Sequence, residues 1–532
     1  MPTPSVEASY RRRRTVLAVL CLSVLLVVVS NMALNVALPT LGARLHAGAS
    51  SLAWVVDVYV LCFAGFLLPA GHLGDRFGRK GTMQCGLVLF TGAASVGAFS
   101  TATWELIVAR AVMGIGAALV MPGTLSILAT VFPPRERPKA IAVWASVAGG
   151  SVAISLVWSG AMLEHFWWGS IFLGMAAVAA VALLAGWFVL PTSRHRDEAG
   201  VDPVGAALSV LGVAGLLYGF IEAPGVGWTA APIMGAFALG IIGLVAFATW
   251  ERRHPHPMLD LAFFSERRFS FGGLSIAAAY FALFGMYFLL TQYLQLVRGY
   301  SPLVAGLYAL PAGLAQFATA NLSKPLVARH GFRPVLAAGL AASAAGLLVL
   351  GTASVASPMW VVEVGLTFLG VGIGFTMPPA TGAIMSSLPP HKAGVGSAVN
   401  DLVRELGGAF GIGVLGSLAL ERYRSRLGEW LARQPEATHA KAGLAQALAT
   451  FGTHGATGIS ARKAYVAGFD LAMIVGAVGV AVAAITIYLG LSVTKGVASR
   501  KLPETQFSSE EATEEADVYS VSFSSSESDV NG

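Results

Sequence analysis

Gly71-His72-Leu73-Gly74-Asp75-Arg76-Phe77-Gly78-Arg79-Lys80 lies between two apolar segments, residues 51–71 and 82–100. Each segment holds about 20 mostly apolar residues, enough to cross a hydrocarbon layer of about 30 Å. Charges as dense as Asp75, Arg76, Arg79 and Lys80 are too costly for hydrocarbon. The run is therefore expected to form a short, tight loop between two membrane helices. Gly71 and Gly78 permit a close turn, and the charged side chains suit gripping helix ends that open at the same face.

The rest of the chain agrees with a membrane setting. Of 532 residues, 55% are hydrophobic and 12% charged, about half the charge of a typical soluble domain. Mean hydropathy is +0.70. One soluble core cannot absorb that much apolar sequence, whereas a multi-helix membrane protein can. Cys21, Cys62 and Cys85 fall in apolar segments at no metal-ligand spacing and read as small core residues. Arg11 to Arg14 lead into an apolar run without an obvious cleavage site, which reads as an uncleaved first span.

Fourteen candidate spans follow, at about 15–38, 51–71, 82–100, 105–127, 140–162, 170–190, 203–221, 231–250, 270–290, 303–322, 334–352, 358–380, 395–419 and 469–490. The fold class is all-α and multi-pass. With residues 1–14 in the cytoplasm, 23 of the 34 lysines and arginines fall in inside segments, and the short outside loops carry only Arg44 and Arg298. Basic residues concentrate on the cytoplasmic side, so both termini are expected there. The longest outside excursion is about 420–468. Within it, Glu421 to Arg426 is expected to extend the thirteenth helix, and Glu436 to Ala449 to form a surface helix. Residues 495–532 are serine-rich, turn acidic after Pro503 and read as a disordered tail.

An internal echo divides the chain. Leu73, Arg76, Gly78 and Lys80 recur as Leu326, Arg329, Gly331 and Arg333, while Asp75 has Ala328 in its place. A duplicated six-helix unit leaves such a trace. Two halves, 15–190 and 258–494, account for twelve spans, and the linker 191–257 carries an extra pair.

On these runs the chain resembles the major facilitator superfamily of secondary transporters. Gly71 to Lys80 is similar to its loop-two signature, and Arg110 to Gly116 to its fourth-helix signature. Asn35-Val36-Ala37-Leu38-Pro39, Trp54 to Tyr59, Pro122 to Leu125, Glu164 to Gly169 and Gly394 to Gly408 look most like the fourteen-helix drug:proton antiporter family. The resemblance implies a major facilitator fold of two six-helix halves plus two inserted helices. It implies a bacterial inner-membrane exporter of lipophilic or cationic drugs, dyes or antibiotics, driven by incoming protons. The implied partners are that small molecule, protons and the bilayer, without nucleic acid, and the chain is expected to work as a monomer. No nucleophile–base set, metal-ligand cluster or phosphate loop stands out, so neither an enzyme, an ATP-driven pump nor a cofactor is expected.

Two departures favour an alternative, a carrier for a specific metabolite or antibiotic that is not proton-coupled. The family places an aspartate nine residues before the proline that closes the first helix; here Ser30 stands there, followed by Asn31. Its fifth-helix signature has glycine-proline and then paired glycine; here Ser155-Leu156 and Ser159-Gly160 occur, with Gly149 and Gly150 earlier as partial compensation.

Secondary transport needs ionisable groups within the spans. Asp57, Arg110, Asp401 and Glu405 are the proton-coupling candidates. An ionised carboxylate at Asp57 costs several kcal/mol unless it meets water or a partner, so it reads as a coupling or substrate residue or as a structural acid holding Arg110 or a helix end. Arg404 sits three residues from Asp401 and beside Glu405, and this trio reads either as a proton site or as an ion cluster docking against the Gly71 run. Ser30, Asn31, Trp54, Tyr59, Tyr280, Phe284, Tyr287, Gln292 and Glu363 are the substrate-pathway candidates, because soft aromatic walls suit varied lipophilic ligands. Gly71, Asp75, Arg76, Gly78, Arg79, Lys80, Arg404, Gly149 and Gly150 are the gating candidates. Glu222 and Trp228 flank an outer loop and read as structural.

Overall fold

The computed structural model describes residues 4–491 apart from 46–48, 192–201, 256, 432–442 and 453–454. The predicted acidic tail, much of the linker's first polar stretch and the middle of the 420–468 excursion lie outside the described residues. The helices are α1 (Pro4–Met32), α2 (Leu34–Leu45), α3 (Ala49–Phe77), α4 (Arg79–Ala98), α5 (Thr103–Val131), α6 (Arg137–His165), α7 (Ser170–Val189) and α8 (Pro203–Val226). They continue with α9 (Ala231–Glu251), α10 (Arg267–Gln292), α11 (Pro302–His330), α12 (Phe332–Leu350), α13 (Met359–Ser386), α14 (Ala393–Leu431), α15 (Leu444–Phe451) and α16 (Ala456–Gly490).

Each predicted span falls on a helix except the first, 15–38, which is broken at Ala33 between α1 and α2. Among the described residues twelve helices are long and apolar enough to cross a membrane; the predicted spans at α4 and α6 are outside that set. Helix α4 opens on Arg79 and Lys80 and carries Gln84, which lowers its apolarity. Many large apolar side chains point outward, among them Val88, Val96 and Phe99 on or beside α4, Leu184 and Phe188 on α7, and Ile241, Ile242 and Val245 on α9. Outward apolar faces on so many helices call for lipid. Cys85 is exposed on α4 and is not a core residue as its apolar setting suggested.

The opening stretch is not a loop. Helix α3 continues through Gly71 as far as Phe77, and α4 starts at Arg79. Gly78 alone breaks the path, at φ +107°, where a side chain would be strained. Continuing the helix keeps backbone groups paired up to the break, and the charged side chains leave from its last turn. The echo has the same form: Gly331, at φ +89°, is the single break between α11 and α12.

Helix α14 reaches Leu431, so the expected outward extension past Glu421 is present. Helix α15 covers part of the predicted surface helix, and α16 begins well before residue 469.

Two seams run through the molecule. At one, α3 packs along α14, with α8 against both of them and α9 behind α8. At the other, α6 packs along α11. Helix α6 meets α11 at Gly160 against Leu303, at Gly149 against Gln316, and at Ala145, whose carbonyl accepts from Gln316 Nε2 at 3.2 Å. Gly150 faces Gly313, with nothing close to a Cβ of its own.

Helices α3 and α14 approach closely at Gly71. A Cβ there would lie 2.7 Å from the Gly394 carbonyl oxygen and 2.8 Å from Ala398 Cβ. Gly71→Val is therefore expected to push α3 off α14, at an overpacking cost of about 1–3 kcal/mol. Thermal unfolding of the purified protein checks this: Tm should fall, and an unchanged Tm would refute the contact.

Candidate functional site

Three groups of polar residues gather at or beside the first seam. The first sits at the Gly78 end. Asp75 accepts from the backbone N–H groups of Gly394 at 2.9 Å and Val395 at 3.1 Å, in the first turn of α14. Its Oδ1 also accepts from Arg79 Nε at 3.0 Å and Nη2 at 2.9 Å. The first N–H groups of a helix have no partner inside it and carry partial positive charge, so a carboxylate there is favoured. Arg79 reaches the Ser126 carbonyl at 3.5 Å, and Lys80 donates to the Trp187 carbonyl near the end of α7 at 2.7 Å. Arg76 sits over the Phe77 ring at 5.2 Å. The predicted grip on helix ends is thus made by Asp75 and Lys80. The partner that docks on the Gly71 run is the start of α14, not the Asp401–Arg404–Glu405 trio, which lies two to three turns further along that helix.

The second group surrounds Arg110, which is fully buried. Its Nε donates to the Val55 carbonyl at 3.0 Å, and its Nη1 donates to the Ser30 carbonyl and Oγ at 3.1 Å each. Its guanidinium lies 4.1 Å from the Tyr59 ring centroid, a cation–π distance. Tyr59 in turn donates to the Val27 carbonyl at 3.0 Å. Arg110 Nη2 has no hydrogen-bond partner among the described residues. Arg110 is therefore anchored mainly by carbonyls and a serine, and Asp57 acts on it through its charge alone. The reading of Asp57 as a structural acid bonded to Arg110 does not match this geometry. Ser159, in the departing fifth-helix signature, donates to the Ala33 carbonyl at 2.6 Å and ties α6 to the break between α1 and α2.

The third group is on α14. Asp401, Arg404 and Glu405 are all buried. Arg404 stands 3.3 Å from Asp401 Oδ1 through Nη1 and 3.3 Å from Glu405 Oε1 through Nε. Asn400 donates to Asp401 at 3.3 Å and accepts from Thr381 on α13 at 2.9 Å. Asp401 Oδ2 has no partner among the described residues. Asn31 of α1 faces Glu405 across a small cavity and lies within its electrostatic reach. The cavity is lined by Asn31, Phe63, Tyr280, Phe284, Arg404 and Glu405 among others. It has room for about a single water molecule, so a drug-sized ligand requires the helices to part. Tyr280 meets Phe284 edge-on, ring centroids 5.3 Å apart.

The structure thus gathers Asn31, Tyr280, Phe284, Arg404 and Glu405 at one cavity, and Ser30, Tyr59 and Arg110 in a contact set beside it. Tyr287 is half-buried on α10 and does not line the cavity. Gln292 Nε2 donates to the Phe288 carbonyl of its own helix at 3.3 Å. Glu363 is half-buried on α13, within electrostatic reach of Tyr308 and away from the cavity. Trp54 stacks on Tyr218 of α8 at 5.9 Å. Trp228 is structural as read, donating from Nε1 to Ser417 at 2.8 Å. Glu222 belongs to α8 and lies within electrostatic reach of Asp57 on α3. Sequence spacing carried no signal for this pair, whose members are 165 positions apart.

Helices with lipid-ready faces, close seams and a buried ion network around a small central cavity define a multi-pass membrane transporter. The sequence matches the Major Facilitator Superfamily over residues 20–412, and the chain belongs to that family. It is 32% identical over 494 residues to the multidrug efflux pump LfrA of Mycolicibacterium smegmatis, covering 91% of this chain and 97% of that protein. It is 34% identical to the puromycin resistance protein pur8 of Streptomyces alboniger, covering 77% and 82%. Its fold is similar to that of the human organic anion transporter MFSD10, with a TM-score of 0.60 at 14% identity, covering 89% of this chain and 99% of the other.

Proposed function

We propose that this chain is a proton-driven exporter of lipophilic or cationic drugs, dyes or antibiotics in a bacterial inner membrane. In this reading it is a fourteen-helix antiporter with halves 15–190 and 258–494, an inserted helix pair within 191–257, and both termini cytoplasmic. The observation that carries it is the buried trio Asp401, Arg404 and Glu405, with two acids and one base, beside an aromatic cavity that Asn31 of α1 also lines. Two carboxylates sharing one cation leave a place for a proton that can come and go as access alternates. The multidrug efflux of LfrA and the puromycin resistance of pur8 support the substrate class. The Asp75 contact with α14 serves as the latch of the Gly78 end.

Ser30 supports a second reading, a carrier for one metabolite or antibiotic without proton coupling, because the residue beside Arg110 has no proton-linked charge. Efflux of a quaternary ammonium dye from cells expressing the chain separates the two. The proton-driven reading expects efflux that stops with an uncoupler and is lost in Asp57→Asn or Glu405→Gln at equal membrane levels. Efflux that persists without a proton gradient refutes coupling, and no efflux from well-inserted protein moves the assignment to a narrow carrier.

A further inference from the structure

The two copies of the signature run treat their cations differently. In the first copy the partners come from the chain itself: Asp75 pairs with Arg79, and Lys80 on α4 donates to the Trp187 carbonyl near the end of α7. In the second copy Ala328 replaces Asp75 and Phe332 replaces Arg79, so the carboxylate is missing. Arg333 stands in the place of Lys80. Its guanidinium lies 3.7 Å from the centroid of the Tyr488 ring, in the last turn of α16. Its Nε is shielded and has no hydrogen-bond partner among the described residues, and no ion pair among them includes Arg333. An arginine stacked on a ring uses its face and leaves the N–H groups at its edge for an anion.

Other cations gather around that turn. Arg267, at the start of α10, donates from Nη1 to the Gly490 carbonyl of α16 at 3.2 Å. Gly490 packs on Phe271 of α10, and α12 packs along α16, so three helix ends meet here. Arg267, Arg268 and Arg329 are exposed; Glu266, also exposed, precedes Arg267. Four arginines against this one glutamate leave the group positive. Tyr488 is 45% exposed, and Val482, Ile485 and Leu489 of α16 point outward near it. Ala338 and Ala341 are exposed on α12. Outward apolar side chains meet acyl chains, and the arginines stand at the polar end of that surface.

We propose that Arg333 and Arg267 hold the phosphate of one anionic phospholipid, while the Tyr488 ring backs Arg333 and the acyl chains lie along α16. The bilayer then supplies the second half with the counter-charge that Asp75 supplies in the first. Two guanidinium groups suit a phosphate, whose oxygens accept from both. The surplus of cations favours an anionic headgroup over a zwitterionic one. The lipid ties α10, α12 and α16 together at one end, as the Asp75 contact ties α3 to α14.

Full-length purified protein in detergent is titrated with dioleoylphosphatidylglycerol, with dioleoylphosphatidylcholine and, separately, with inorganic phosphate. Native mass spectrometry counts the bound lipid, and thermal unfolding gives the rise in Tm that binding produces. Wild type should retain a phosphatidylglycerol under conditions where phosphatidylcholine dissociates, and its Tm should rise with phosphatidylglycerol only. Arg333→Gln should weaken phosphatidylglycerol binding about tenfold, Arg267→Gln should act in the same direction, and Arg333→Lys should recover part of the loss. Arg135→Gln removes the same charge at an exposed position between α5 and α6 and should leave binding unchanged. Each variant is compared with and without lipid, so a lower starting Tm does not alter the outcome. Equal binding of the two lipids, unchanged binding in Arg333→Gln, or an equal loss in Arg135→Gln each overturns the proposal. A full Tm rise with inorganic phosphate alone assigns the site to free phosphate and overturns the lipid.

Discussion

Arg110→Lys should reduce the initial rate of dye efflux to about a hundredth of wild type at equal membrane abundance. The guanidinium makes three hydrogen bonds from two nitrogens, one to α3 and two to α1, while its face lies on Tyr59. A lysine ammonium keeps the charge but is a single point, so it cannot reach Val55 and Ser30 together or stack flat on the ring. Hydrogen bonds to a charged group are worth about 1.5–3 kcal/mol each, and about 3 kcal/mol corresponds to roughly a hundredfold. The loss falls on the relative placement of α1, α3 and α5, which alternating access must move as units. Arg110→Lys with near-normal efflux would mean that charge alone matters and that the bonding geometry does not. Size-exclusion profiles and thermal unfolding of the variant separate this from a failure to fold.

Asp75→Ala should open the Gly78 end. The carboxylate satisfies two backbone N–H groups at the start of α14 and pairs with Arg79. Removing it leaves those N–H groups without their acceptor and Arg79, which is 5% exposed, without its counter-ion. Taking two charge-assisted bonds at the low end, the closed arrangement loses about 3 kcal/mol, enough to shift a two-state equilibrium roughly a hundredfold. Spin labels at Gly81→Cys and Ser386→Cys report it, in a background with Cys21, Cys62 and Cys85 replaced by serine. Both label sites are exposed, Gly81 on α4 and Ser386 at the end of α13. The distance distribution between them should move to a longer, broader population in Asp75→Ala. Asp75→Asn should fall between, since the amide oxygen can still accept but carries no charge. An unchanged distribution in Asp75→Ala would remove the latch.

The signature run shows how far local reading carries. Its glycines and charges identified a junction between membrane helices, and Gly78 and Gly331 repeat as single breaks with positive φ. The shape of the junction was misread: dense charge was taken to need a loop, but charged side chains at the end of a helix can leave the hydrocarbon while the backbone stays helical. The docking partner was misread as well. Asp75 binds backbone N–H groups, which every helix start possesses and no residue type marks.

The site was legible where it followed one helix. Asp401, Arg404 and Glu405 are close in sequence, and their contacts follow from helical spacing. Ser30 stood out as the residue occupying an acid's place, and its bond to Arg110 shows what it does there. Glu222 reads as structural in the sequence because it sits near the end of an apolar helix beside an outer turn, a common place for a solvated acid. Tyr287, Gln292 and Glu363 were chosen by residue type, which does not say which face of a helix meets the centre.

Hydropathy, charge placement and the repeated glycine breaks determined an all-helical membrane chain with a duplicated pattern, because the bilayer imposes length and polarity on each segment separately. Only the tertiary structure decided which polar groups are neighbours: Arg110 with Ser30, Glu405 with Asn31, Asp57 with Glu222. Those pairings depend on the rotation and depth of helices far apart in the chain. Close packing at small residues such as Gly71 and Gly394 sets that rotation, and it is a property of two surfaces together that neither sequence segment carries alone.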